Sequence, residues 1–91
     1  MQQAFRDVSD ALVGYRRNQE FRAQQEHLTH SAEEAQKLSN MRYSGGASSY
    51  LEVLDSDTRY FSAQLSLAQA QLRELQSLVQ IYRSLGGGWQ Q

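Results

Sequence analysis

The stretch that decides the fold is Tyr43-Ser44-Gly45-Gly46-Ala47-Ser48-Ser49-Tyr50-Leu51-Glu52. It holds a helix stop followed at once by a helix start. The glycine pair can adopt the left-handed backbone that ends a helix and reverses the chain. Three residues later, Ser49-x-x-Glu52 has the form of a capping box, in which the serine hydroxyl accepts from the Glu52 N–H and the Glu52 side chain reaches back. A stop beside a start predicts a tight αα-hairpin. No proline breaks either flank of the 91-residue chain.

Outward from the turn, the second half carries the stronger pattern. Leu51, Thr58, Leu65, Leu72 and Val79 alternate with Leu54, Phe61, Ala68, Leu75 and Tyr82 at spacings of three and four. That is a coiled-coil seam. A second apolar row, Tyr50, Val53, Tyr60, Leu67, Leu78, Ile81 and Leu85, lies beside it, so this helix is expected to touch more than one neighbour. The first half has weaker stripes: Phe5, Val8, Leu12 and Tyr15, then Phe21, Leu28, Ala32, Ala35 and Leu38. Between them the polar patch Arg16 to Glu20 predicts a slip of register or a change of partner. The expected fold is all-α, a long antiparallel coiled-coil helical hairpin. One helix spans about 3–43, a turn about 44–48, a second helix about 49–85 and a flexible Gly-rich tail 86–91. Helices of ~40 residues would reach ~60 Å. Two helices cannot enclose a thick core, so self-association, with two hairpins forming a four-helix bundle, is expected.

Composition narrows the function. Nine basic and ten acidic side chains give a formal charge of −1 with no basic block, which argues against a nucleic-acid partner. There is no cysteine and hence no thiolate chemistry or disulfide frame. No segment approaches the ~20 apolar residues of a membrane-crossing helix, so direct membrane insertion by this segment is not expected. The opening Met1-Gln2-Gln3-Ala4 lacks the apolar region of a secretory signal. A membrane-surface helix would carry a Lys/Arg-rich polar face, and the charges here are mixed. His27 and His30, with Glu26, Glu33 and Glu34 nearby, have metal-like spacing but read as a solvated face; no metal and no cofactor is expected. No nucleophile–base–orienter set is present, so an enzyme is not expected. Tyr15, Tyr60, Phe61 and Tyr82 sit in apolar rows and read as packing residues. Ser62, Ala63, Gln64, Ser66, Gln69 and Ala70 form a small neutral face suited to close helix approach or to a non-binding duct lining.

Three segments resemble one family. Tyr43 to Asp55 is similar to the Y-x-x-G-x-x-x-x-L-[DE]-V-L-D segment of TolC-like outer-membrane efflux proteins. Ala4-Phe5-Arg6-Asp7-Val8-Ser9-Asp10-Ala11-Leu12 and Tyr82-Arg83-Ser84-Leu85-Gly86-Gly87-Gly88-Trp89 resemble two further segments of the lipoprotein (OprM/NodT-like) subgroup serving RND-type pumps. The resemblance implies the C-terminal periplasmic hairpin of a homotrimeric duct, whose turn docks on a periplasmic adaptor (membrane fusion) protein. Carried over by position, Tyr43, Ser44, Gly45, Gly46, Ala47 and Ser48 would form the docking turn. Glu52 and Asp55 would match acidic positions at the pore entrance, and Tyr43 a tyrosine that helps hold it shut. Ser48 departs from relatives with Arg there. Trp89 would pack against the remainder of such a protein. From the residues alone, Glu52 and Asp55 share one helix face and would concentrate negative charge in a trimer. They equally suit a helix N-terminus, and Asp55 can pair with Arg59. The alternative reading is a generic coiled-coil oligomerisation module without a transport role.

Overall fold

The computed structural model describes residues 2–86, with side chains described from Phe5 onward. The expectations for Trp89 and for the glycine stop at Gly87 and Gly88 lie outside these residues. Two helices account for nearly all of the rest: α1 (Gln2–Ser44) and α2 (Tyr50–Gly86). No strand is present among the described residues. The fold is a helical hairpin, as the turn sequence predicts.

The reversal is built by backbone hydrogen bonds. Gly46 takes φ = 78° and is the one described residue with a positive φ. With Gly46 in this state, its N–H donates to Tyr43 O at 3.0 Å and the Ala47 N–H donates to Arg42 O at 2.8 Å. Those two bonds are a Schellman motif, which occupies carbonyls that the end of α1 would leave unsatisfied. Gly45 still makes a helical bond to Met41 O. The start of α2 follows within three residues. The Glu52 N–H points at Ser49, 3.1 Å from its carbonyl oxygen and 3.4 Å from its hydroxyl. The serine half of the capping box therefore forms. The Glu52 carboxylate accepts no hydrogen bond among the described residues, so the reciprocal half does not.

The chain divides into two compact units: Met1–Ala23 with Gln69–Gln91, and Gln24–Ala68. In the second unit α1 presents Gln25, Thr29, Ala32, Gln36 and Ser39 to α2, which answers with Val53, Ser56, Tyr60, Ala63 and Leu67. Thr29, Val53 and Ser56 are buried. The Thr29 hydroxyl lies 2.8 Å from Gln25 O and 3.1 Å from Ala63 O. Gln25 Nε2 also reaches Ala63 O, at 3.5 Å. Further along, Gln36 Nε2 donates to Asp57 Oδ1 at 2.9 Å and Tyr60 Oη to Glu33 Oε2 at 2.7 Å.

In the first unit the shared face is Val8, Ala11, Tyr15, Asn18 and Arg22 against Ala70, Glu74, Ser77, Ile81 and Ser84. Ala70 is 1% exposed. Asn18 Nδ2 donates to Ser77 Oγ, and Arg22 Nε meets Glu74 Oε2 at 2.7 Å with both side chains about three-quarters covered. The polar patch Arg16 to Glu20 therefore does not interrupt the shared face. Asn18 stays on it and bonds across it.

The helices do not share the row with the largest apolar side chains. In the second unit Leu51, Leu54, Phe61 and Leu65 are exposed, and in the first unit so are Leu72, Leu75, Val79 and Tyr82. The face turned to α1 is the second sequence row, in which Val53, Tyr60, Leu67, Leu78 and Ile81 are buried or half-buried. On α1, Phe5, Leu12, Phe21, Leu28 and Leu38 are exposed as well. Small and hydrogen-bonding residues suit close helix approach, while the bulkier rows are left exposed.

Gly46→Ala puts a Cβ on a left-handed backbone and should cost about 1–2 kcal/mol in thermal or urea unfolding followed by circular dichroism. Gly45→Ala meets only ordinary contacts, at 3.5 Å to Met41 O and 3.7 Å to Arg42 O, with no positive φ. It should be neutral or stabilising by about 0.5 kcal/mol. Equal losses at both positions would contradict the turn geometry.

Candidate functional site: the hairpin turn and its flanks

The six residues Tyr43 to Ser48 fall together at the closed end of the second unit. Tyr43 and Ser44 end α1, and Gly45 to Ser48 form the link. All but Ser48 are exposed. The Ser48 hydroxyl oxygen is buried and has no hydrogen-bond partner among the described residues. The Tyr43 and Tyr50 rings meet with centroids 5.7 Å apart and planes tilted by 51°. That geometry suits the aromatic quadrupole and ties the end of α1 to the start of α2. Around the pair, Met41 and Leu51 are the most exposed large apolar side chains of the turn region, at 70% and 76%. This end therefore presents bare backbone at the glycines beside a small apolar and aromatic surface.

Glu52 and Asp55 lie one turn apart on α2, as their spacing requires. Asp55 Oδ2 pairs with Arg59 Nε at 3.1 Å, with both side chains largely exposed. Glu52 has no ion-pair partner among the described residues. Both carboxylates line a shallow groove with Arg42, Arg59, Ser39 and Ala35. Two guanidiniums thus accompany two carboxylates, so this face is close to locally neutral. The sequence reading singled out the acids and missed Arg42, which approaches from α1 across the fold.

The most connected charged group lies elsewhere in the second unit. Glu33 accepts the Tyr60 hydroxyl and sits 3.6 Å from Lys37 Nζ. The Tyr60 hydrogen bond, then the Lys37 charge, hold the Glu33 carboxyl below its ordinary value of 4.5. The same bond raises the Tyr60 hydroxyl above 10.0. Glu33 was seen in the sequence only as a neighbour of the histidines. Its partner lies 27 residues away, a distance that periodicity does not encode. His30 Nε2 pairs with Glu34 Oε1 at 3.1 Å, and no group of three metal-binding side chains forms among the described residues.

The geometry defines a class first: an all-α hairpin with an exposed turn and outward apolar rows. The family model described as outer membrane efflux protein matches residues 1–87, and the chain belongs to that family of transport proteins. It is similar to the solvent efflux pump outer membrane protein SrpC of Pseudomonas putida, 38% identical over 98% of this chain and 19% of that protein. It is also similar to the probable efflux pump outer membrane protein TtgC of Pseudomonas putida strain KT2440, 37% identical over 98% of the chain and 18% of the relative. The pyoverdine export outer membrane protein OpmQ of the same strain is 38% identical over 96% of the chain and 18% of its own length. The chain thus spans about a fifth of the length of these relatives. No solved structure matches it. No described helix is long and apolar enough to cross a membrane.

The Glu33–Tyr60 bond makes a pH prediction. Glu33 has a folded value below its unfolded one, so its contribution to stability is present above about pH 4.5 and is lost as pH falls through the folded value. Tyr60→Phe removes the largest cause of the shift, and the Glu33 carboxyl should then titrate nearer 4.5 in a carbon-13 NMR titration. An unchanged titration would mean that the hydroxyl does not hold the carboxylate in solution.

Proposed function

We propose that this hairpin is a periplasmic segment of an outer-membrane efflux duct, forms part of the channel entrance and docks through its turn on the adaptor protein of a tripartite RND-type pump. The observation that carries the reading is the division of faces. The shared face mixes small and hydrogen-bonding residues with the second apolar row of α2, and each helix leaves its bulkiest apolar row outward. A helix in the wall of a larger assembly needs a second contact face of this kind, whereas a self-sufficient hairpin does not. Membership of the efflux family and relatives named for solvent efflux and pyoverdine export support the same reading.

In this account the full protein is a homotrimer, and Tyr43, Ser44, Gly45, Gly46, Ala47 and Ser48 make the adaptor contact. Gly45 and Gly46 leave the backbone open to a partner, and Tyr43 with Tyr50 stiffens the approach. Glu52 and Asp55 line the entrance. With Arg59 on Asp55, Glu52 is the carboxylate without an ion-pair partner among the described residues, and Arg42 in the same groove tempers the charge it offers passing ions. The segment carries out passive transport and docking.

Gly45→Asp is the sharper test of docking than Gly46→Asp, because position 45 has no positive φ to confound the result. In the full-length protein it should abolish drug tolerance and adaptor binding while leaving helicity unchanged. Normal tolerance and binding would overturn docking at the turn and favour a coiled-coil module without a transport role.

The outward rows also predict that the isolated 91-residue chain self-associates, with two hairpins forming a four-helix bundle. Light scattering should give a mass above that of one chain, which falls to one chain in a Leu65→Gln, Leu72→Gln variant. A single-chain mass for the parent at high concentration would contradict this.

A further inference from the structure

From Met41 to Leu51 the chain carries a single charged side chain, Arg42. Met41, Tyr43, Tyr50 and Leu51 are all exposed there. A partner that closes over this end of the second unit must bury them, so apolar area rather than charge pairing dominates the contact.

Met41 differs from its apolar neighbours in its chemistry. The chain has no cysteine and Met1 lies outside the described residues, so Met41 holds the one sulfur atom among those described. Its side chain is 70% exposed, and a small oxidant reaches the thioether without unfolding the helix. The turn itself is held by backbone groups. The Met41 carbonyl accepts the Gly45 N–H at 3.0 Å, and the carbonyls of Tyr43 and Arg42 accept the N–H groups of Gly46 and Ala47. A change at the sulfur therefore alters the surface of the turn and leaves its geometry in place.

We propose that Met41 is a reversible oxidation site, and that its sulfoxide weakens the contact between the turn and the adaptor. The inference rests on docking at the turn. The oxidant is a hydroperoxide. Its O–O bond breaks, one oxygen atom passes to the thioether sulfur, the sulfur loses two electrons and the peroxide leaves as water or alcohol. A flexible apolar side chain becomes a polar hydrogen-bond acceptor, which must shed water when the partner closes over it. Reduction of the sulfoxide restores the thioether.

In the full-length protein, hydrogen peroxide should add the mass of one oxygen atom to the proteolytic peptide that contains Met41. Adaptor binding should then weaken about tenfold, while the circular dichroism spectrum and melting temperature stay as they were. Methionine sulfoxide reductase with dithiothreitol should restore the binding. Met41→Leu keeps apolar bulk and removes the sulfur, so this variant should bind like the reduced parent both before and after peroxide. A parent in which Met41 resists peroxide, or binds equally well reduced and oxidised, would overturn the inference and leave docking standing. Weakened binding in peroxide-treated Met41→Leu would place the sensitive group elsewhere and also overturn it. Absence of binding already in the reduced parent would overturn docking at the turn, and this inference with it.

Discussion

The rest of the hairpin depends on how the two helices meet. Their shared face is narrow and hydrogen-bonded. In the second unit Gln25 and Thr29 converge on the carbonyl oxygen of Ala63, Glu33 takes the Tyr60 hydroxyl, and Gln36 donates to Asp57. In the first, Asn18 and Arg22 reach Ser77 and Glu74. A buried polar group is stable only with its partner in place, so such bonds fix register more than they add net stability. The buried apolar residues are the small Ala11, Val53 and Ala70. Fixing the shared face in this way turns the leucine and phenylalanine rows outward.

A hairpin that hid its leucines between its own helices would leave little apolar surface exposed. Here the hydrophobic contribution is withheld from the isolated fold and remains available to neighbours. The turn follows the same logic. Its hydrogen bonds are backbone bonds of the Schellman type, which leave its outer surface free of structural duties. Gly46 is needed for the reversal, whereas Gly45 is needed by nothing inside the hairpin.

The hairpin itself was legible in the sequence, because a glycine pair followed by Ser-x-x-Glu is a local signal and backbone geometry is decided locally. The Asp55–Arg59 pair was legible for the same reason, being four residues apart on one helix. The choice of shared face was not. Periodicity marks apolar rows and assigns them no partner, so the row with the most leucine drew attention while many of the residues that join the helices are Gln, Thr, Asn and Ser. Such residues look like solvated surface until the chain doubles back. The Glu33–Tyr60 pair, and the groove that Glu52 and Arg42 both line, exist only once the turn has set the register. A second three-and-four row beside the leucine row was the available clue, and in α2 Val53, Ser56, Tyr60, Ala63, Leu67 and Ala70 carry it.

The placement of Ala70, and not the leucine row, between the helices is tested most directly by comparing Ala70→Gln with Leu72→Gln in the dilute, monomeric chain. Ala70 is 1% exposed and Leu72 is 55% exposed. Overfilling the shared face at Ala70 should cost about 1–3 kcal/mol, while the change at Leu72 should stay within about 0.5 kcal/mol. The reverse order would mean that the leucine row lies between the helices, and the assignment of an outward contact face would fail with it.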